Sequence, residues 1–167
     1  LNYSTYAYHN NWHTFQDRNK YLESIGFDNF KGCGNGLEKL INCKEWPQSD
    51  IAMIKNTIND YYNEENFMVF YATVSGHASY NWGNAASRRH KDEYLSSGLD
   101  YSTKTASYLA AQMELDQALE YLITELDKKG ILEDTVIALV GDHYPYELTI
   151  DEINEIIHES ETEGKIN

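Results

Sequence analysis

Apolar positions in this chain follow two rhythms. Three short runs are nearly unbroken, Tyr3-Ser4-Thr5-Tyr6-Ala7-Tyr8 leading into His9, residues 67–74, and residues 135–140 leading into Gly141-Asp142-His143. Their length and β-branched or aromatic content predict strands, the second and third covered on both faces. Between them the spacing turns helical. Residues 18–25 predict a helix that stops at Gly26, and Ser49 caps one in which Ile51, Ile54, Ile58 and Tyr61 recur. The longest helix runs from about residue 102 to 129, with Leu115, Leu119, Leu122 and Leu126 as its buried stripe and Lys128, Lys129 and Gly130 as its stop. Thr149-Ile150-Asp151-Glu152 reads as a capping box opening a last helix with Ile153, Ile156 and Ile157 inward, followed by a polar, frayed end over 159–167. Residues 31–48 and 75–100 show no period and are expected as loops. Strands alternating with helices predict an α/β domain with a mainly parallel sheet and helices on both faces.

In such a sheet the strand ends that share an edge form the ligand crevice. All three predicted strands run into a histidine, so His9, His77 and the Asp142-His143 pair would meet there. A carboxylate and an imidazole together suit Mn²⁺ or Zn²⁺ better than Ca²⁺. Taken alone, Asp142-His143 is also compatible with a hydrogen-bonded surface turn, and His9 and His77 with loop histidines bonded to carbonyls. Arg18 opens a helix, where a cation opposes the dipole; it reads either as a fork for a phosphate or as a solvated charge beside Asp17 or Glu23. Arg88, Arg89 and Lys91 read as a solvated loop face.

Composition narrows the partners. A formal net charge of -14 over 167 residues excludes the clustered basic surface that nucleic acids require and disfavours adsorption to anionic membranes. A small anion remains compatible, because a bound divalent cation would dominate the local field. No apolar run reaches the length of a bilayer span. The chain opens on Leu1-Asn2-Tyr3-Ser4 without an initiator Met, which reads as a piece of a longer protein. Cys33 and Cys43 could close a short loop as a disulfide or stand as two thiols; their spacing does not fit a paired-cysteine zinc site.

Several segments together resemble one family. Tyr3-Ser4-Thr5-Tyr6-Ala7-Tyr8-His9, Phe15-x-x-Arg18, Gly26-Phe27-Asp28-Asn29-Phe30, Ser75-Gly76-His77, Leu115-Asp116-Gln117-Ala118-Leu119 and Gly141-Asp142-His143-Tyr144 look like lipoteichoic acid synthases, in the sulfatase branch of the alkaline phosphatase superfamily. The resemblance runs in order from about residue 3 to residue 147. It implies an αβα sandwich of which residues 1–167 are the central portion, with parts missing on both sides. It also implies an extracellular phosphoglycerol transferase carried behind a membrane-spanning region of the bacterial cell.

Such enzymes use a threonine nucleophile and one divalent cation, usually Mn²⁺ with Mg²⁺ or Zn²⁺ as options, to cleave phosphatidylglycerol. Carried over by motif, Asp142 and His143 would be metal ligands, and Arg18 and His77 would hold the phosphoglycerol group with His9 beside it. The partner would be an anionic lipid headgroup or glycerol-phosphate polymer. The nucleophile and the acidic metal ligand would lie upstream of Leu1, so the isolated chain is expected to be inactive. Asn11 and Gln16 stand where polymerising synthases carry an acidic residue and a tryptophan, which bears on the acceptor. Alternatives are a sulfatase or phosphoethanolamine transferase on the same fold, or a surface binding module that has lost catalysis.

Overall fold

In the computed structural model, which describes residues 2–162, β1 (Ser4–Trp12) is the centre of a three-stranded sheet. β2 (Asn29–Cys33) lies on one side and β3 (Phe67–Ala72) on the other, all parallel. Parallel neighbours need crossover connections, which α1 (Arg18–Ser24) and α2 (Asp50–Thr57) provide. Pairing Tyr8 with Tyr71 and His9 with Ala72 brings the ends of β1 and β3 to the same level.

The period-2 alternation of the strands divides their side chains. Tyr6, Tyr8, Phe67, Val69 and Tyr71 face the main core with Met53, Ile54 and Ile58 of the α2 segment and Ala118, Leu122 and Leu126 of the long helix. Tyr hydroxyls buried there find partners, as such groups must. Tyr61 and Thr57 each meet the Tyr71 hydroxyl at 3.0 Å, and Tyr8 donates to Asp60 at 2.9 Å. Burial pushes the Tyr61 hydroxyl up to about 12. On the other face Ala7 is fully covered while Phe70 meets Phe27 at 6.3 Å and stays partly open.

After β3 come α3 (Ala85–Arg89), α4 (Lys91–Ser96), α5 (Thr103–Lys129) and α6 (Ile150–Thr162). The Ser49 hydroxyl caps α2 as expected, accepting from Ala52 N, the Ser102 hydroxyl caps α5 in the same way through Thr105 N, and Gly130 ends α5 with a left-handed φ of 75°. Thr149 and Glu152 exchange reciprocal backbone bonds at 3.2 and 2.7 Å, the capping box of α6. Ile153 and Ile156 are half-buried but Ile157 is 44% exposed. The expected fraying of 159–167 falls beyond the described side chains.

Four expectations are corrected. Residues 135–140 form no strand: no neighbour supplies a ladder, and Val136 and Val140 are 94% and 90% exposed. An apolar run without a hydrogen-bonding partner is only an extended chain. The third strand is instead β2, inside the stretch expected as loop. Residues 75–100 are not one long loop, because Asn84 caps α3 by accepting from Ala86 N and Ser87 N and α4 follows. The buried line of α5 runs through Ala110, Ala111, Glu114, Ala118, Leu122 and Leu126, with Leu115 and Leu119 at its margin; small residues let α2 pack closely against it.

Candidate active site

β1 and β3 end over a buried carboxylate. Asp50, at the start of α2 and 0% exposed, accepts from Asn10 Nδ2 at 2.6 Å, from Val74 N at 3.1 Å and Ser75 N at 3.3 Å, and from the Ser75 hydroxyl. It ties Asn10, within β1, to the residues just beyond β3. Burial pushes its carboxyl up, against the hydrogen bonds from Ser75, Val74 and Asn10.

Beyond β1 the chain makes a tight turn. Gln16 and Asp17 have φ of 54° and 53°, the left-handed region that costs side-chain-bearing residues about 1 kcal/mol or more each. The turn is pinned by His13, whose backbone N donates to Cys33 O at 2.9 Å. This close approach needs Gly32, where a Cβ would lie 2.9 Å from His13 Cα. Cys33 and Cys43 form a disulfide with Cα atoms 5.8 Å apart, which settles the choice left open by their spacing.

The strained turn delivers Arg18. Its Nη2 donates to Gln16 Oε1 at 3.2 Å, while its Nε is buried without a hydrogen-bond partner. Desolvation draws its pKa down and the Asp142 carboxylate works the other way. Asp17 pairs with Lys20 at 3.0 Å, and among the described residues no ion pair joins Arg18 to Asp17 or Glu23.

His9 is 2% exposed. Its Nδ1 lies 2.9 Å from Ala72 O; a carbonyl only accepts, so Nδ1 carries the proton and Nε2 the lone pair. That Nε2 is buried and unpartnered. Burial holds the imidazole below its ordinary pKa, the Ala72 bond works against this, and the Arg18 charge adds to the lowering. His9, Arg18 and Asp142, from three parts of the chain, therefore share one electrostatic neighbourhood.

Asp142 and His143 lie on an exposed turn, Asp142 Oδ2 3.4 Å from His143 Nε2. His143 Nδ1 donates to Tyr144 O at 2.9 Å, and the ring stacks on Tyr146 at 4.2 Å. Glu147 moors the turn from the far side, accepting from the Ser79 hydroxyl at 2.9 Å and Tyr80 N at 3.2 Å. Its carbonyl accepts from Lys104 Nζ at 2.7 Å. Burial, with Tyr108, Glu147, Tyr146 and Asp142 nearby, pushes the Tyr80 hydroxyl up to about 12.

His77 is exposed beyond β3 against Trp46; among the described residues no hydrogen bond or ion pair joins it to Arg18 or His9. Asp142 and His143 offer an oxygen and a nitrogen, a donor pair that suits a borderline divalent cation. Among the described residues no group of three or more His, Cys, Asp and Glu gathers as a metal cluster, so these two alone do not make up a coordination shell.

Arg88 and Arg89 are exposed as expected, but they lie on α3 rather than a loop and are ion-paired. Arg89 bridges Glu45 at 3.0 Å and Glu114 at 2.8 Å, Arg88 meets Glu45 at 3.2 Å, and His90 Nε2 lies 2.7 Å from Glu114. Glu114 also accepts from Ser49, so this network braces the start of α2 beneath Asp50. Asp50 and Glu147 are site residues that sequence reasoning missed, as is the contact of Gln16 with Arg18. Asp50 follows a cap and reads as an ordinary first-turn acid, and the others have partners that spacing does not show.

A parallel sheet with helical crossovers, with His9 on its central strand and Arg18 at the start of the first crossover helix, makes this an α/β fold. The sulfatase family profile matches residues 1–163, and the chain belongs to this family. It is 24% identical over 144 residues to lipoteichoic acid synthase 2 of Bacillus subtilis, covering 86% of this chain and 21% of that protein. It is 27% identical over 144 residues to the lipoteichoic acid synthase of Staphylococcus saprophyticus, with 85% and 21% covered. The crystal structure of the lipoteichoic acid synthase LtaP from Listeria monocytogenes superposes with a TM-score of 0.60 at 22% identity, over 87% of this chain and 36% of that one. The chain thus spans about a fifth of the length of these curated relatives and has a partial sulfatase-like fold. No helix among the described residues is long and apolar enough to cross a membrane.

Proposed function

We propose that residues 1–167 are the headgroup-binding part of an extracellular, metal-dependent phosphoglycerol transferase acting on phosphatidylglycerol-type lipids. The observation that carries this reading is two buried nitrogens without hydrogen-bond partners, Arg18 Nε and His9 Nε2, with the Arg18 charge acting on His9. Buried donors and acceptors are almost always satisfied, so a ligand with both an anionic oxygen and a hydroxyl is the natural complement. Arg18 would donate to a phosphate oxygen and offset its charge. His9, neutral with its lone pair on Nε2, would accept from a glycerol hydroxyl. His77 would approach the same group from the β3 side.

Asp142 and His143 would hold the cation, Mn²⁺ in this reading, which when bound supplies Lewis-acid stabilisation. The nucleophilic threonine and an acidic ligand would come from outside residues 1–167. The disulfide agrees with an oxidising compartment, in keeping with the outer face of a bacterial membrane reached through segments outside this chain. Gln16 and Asn11 in place of a tryptophan and an acidic residue favour an acceptor other than a growing lipoteichoic acid chain. Calorimetric titration of Mn²⁺ into the full-length extracellular domain tests the reading. Binding lost in Asp142→Ala supports it; equal binding in the two proteins removes Asp142 from the metal site.

A further inference from the structure

The Ala78 carbonyl oxygen sits between two ring nitrogens. Trp46 Nε1 donates to it at 3.3 Å, and His77 Nδ1 lies 3.2 Å from it. The two rings meet edge-on, centroids 5.0 Å apart and planes at 65°. The carbonyl is itself held: Asn84 Nδ2 donates to His77 O at 3.0 Å and to Ser79 O at 3.2 Å, gripping the peptide on either side. Trp46 is tethered through its own carbonyl, which accepts from Ala85 N at 3.1 Å. Trp46 nevertheless remains 42% exposed.

We propose that Trp46 is a positioning residue for His77: with the Ala78 carbonyl it fixes the ring in the Nδ1–H tautomer and turns Nε2 outward as a hydrogen-bond acceptor. Because a carbonyl can only accept, the shared oxygen leaves the proton on Nδ1. The indole edge prevents the ring from turning over, which would exchange the two nitrogens. The consequence is selectivity for a substrate that presents a hydroxyl at this point, such as a glycerol headgroup, beside the anionic oxygen that Arg18 binds. This step rests on the headgroup reading above.

Long-range ¹H–¹⁵N correlation spectra of the 167-residue chain read the tautomer directly, without any activity. The expected result is Nδ1–H at His77 in the wild type, a mixture in Trp46→Phe, which keeps a ring but loses the donor, and mainly Nε2–H in Trp46→Ala. Nε2–H in the wild type, or an unchanged tautomer in both variants with native melting temperatures, overturns the proposal. Titration with glycerol 1-phosphate separates this from the headgroup reading. Binding should weaken about fivefold in Trp46→Ala, the effect of one neutral hydrogen bond. An Nδ1–H His77 whose resonances do not move with glycerol 1-phosphate would sustain the positioning role and refute the headgroup role.

Discussion

Asn10 Nδ2 donates to Asp50 Oδ1 at 2.6 Å across forty residues of chain, and both side chains are fully buried. This contact fixes the position at which β1 releases the chain toward Gln16 and Arg18, while the same carboxylate receives the chain leaving β3 toward His77. The candidate site is thus set on a polar hub rather than on apolar packing.

Replacing Asp50 by Ala would leave the Val74 and Ser75 donors buried without an acceptor and the Asn10 amide with only the Gln48 carbonyl at 3.3 Å. The expected loss is about 3 kcal/mol, at the upper end for buried polar groups stripped of a partner. Urea denaturation measures it; a loss under about 1 kcal/mol would mean that water or neighbouring carbonyls replace the carboxylate easily.

Glu114 carries an acid-sensitive part of the stability. Burial alone would raise its carboxyl, but hydrogen bonds from Ser49, Arg89 and His90 and the Arg89 charge outweigh it and hold the group below its ordinary 4.5. The folded state then binds this proton less tightly than the unfolded chain. Its contribution is fully present above the ordinary carboxylate value and is lost as pH falls through the lowered folded one. Asp50, with its raised pKa, changes in the opposite sense; the Glu114 charge is the smallest of the causes of that rise, so its removal offsets only a minor part of the difference between wild type and variant. Melting temperatures taken from neutral to strongly acid pH should show the gap between wild type and Glu114→Gln narrowing as the pH drops. A constant gap would contradict the assignment.

The disulfide closes a loop with a sequence separation of 10 residues. Chain-entropy arguments give about 3 kcal/mol for such a loop. Reduction, or Cys33→Ser with Cys43→Ser, should lower the melting temperature and free the Cys33 carbonyl that pins His13. Hydrogen exchange at the His13 amide should accelerate ahead of exchange in α5.

At Gln16 stability and binding should part company. Gln16→Gly relieves a left-handed backbone and should stabilise the fold by roughly 1 kcal/mol, yet it deprives Arg18 of its amide partner. A higher melting temperature with weaker glycerol 1-phosphate binding is expected. A variant that binds as well as wild type would show that the Gln16 amide does not orient the guanidinium.

Some of this was readable from residue order because its cause is local. Ser49, Ser102, Gly130 and the Thr149–Glu152 box mark helix ends through neighbours a few positions away, and β1 and β3 carry enough aromatic and β-branched residues to declare themselves. β2 does not: Asn29-Phe30-Lys31-Gly32-Cys33 is polar and glycine-containing, and it is a strand because Tyr6, Tyr8 and their neighbours offer it a ladder. Residues 135–140 show the converse, a strand-like composition without a strand to join. The buried line of α5 was misread for a related reason. Close packing against α2 selects Ala111 and Ala118 over Leu115 and Leu119, and Glu114 is admitted only because Arg89 and His90, distant in sequence, accompany it. Arg18, His9 and Asp142 were named from motifs, and their shared field follows from the fold; the strained turn and the Gln16 contact that aim Arg18 had no signal in the residue pattern.

The most direct measurement is the binding of glycerol 1-phosphate to wild type and Arg18→Ala by calorimetry in the presence of Mn²⁺. Removing a half-buried guanidinium whose buried Nε has no partner should leave the melting temperature unchanged or raise it, so a loss of binding would not reflect unfolding. The account predicts binding in the wild type that weakens at least about tenfold in Arg18→Ala, as the loss of a charge-assisted hydrogen bond to phosphate should. Equal affinity in the two proteins, or no binding to the wild type, would contradict it.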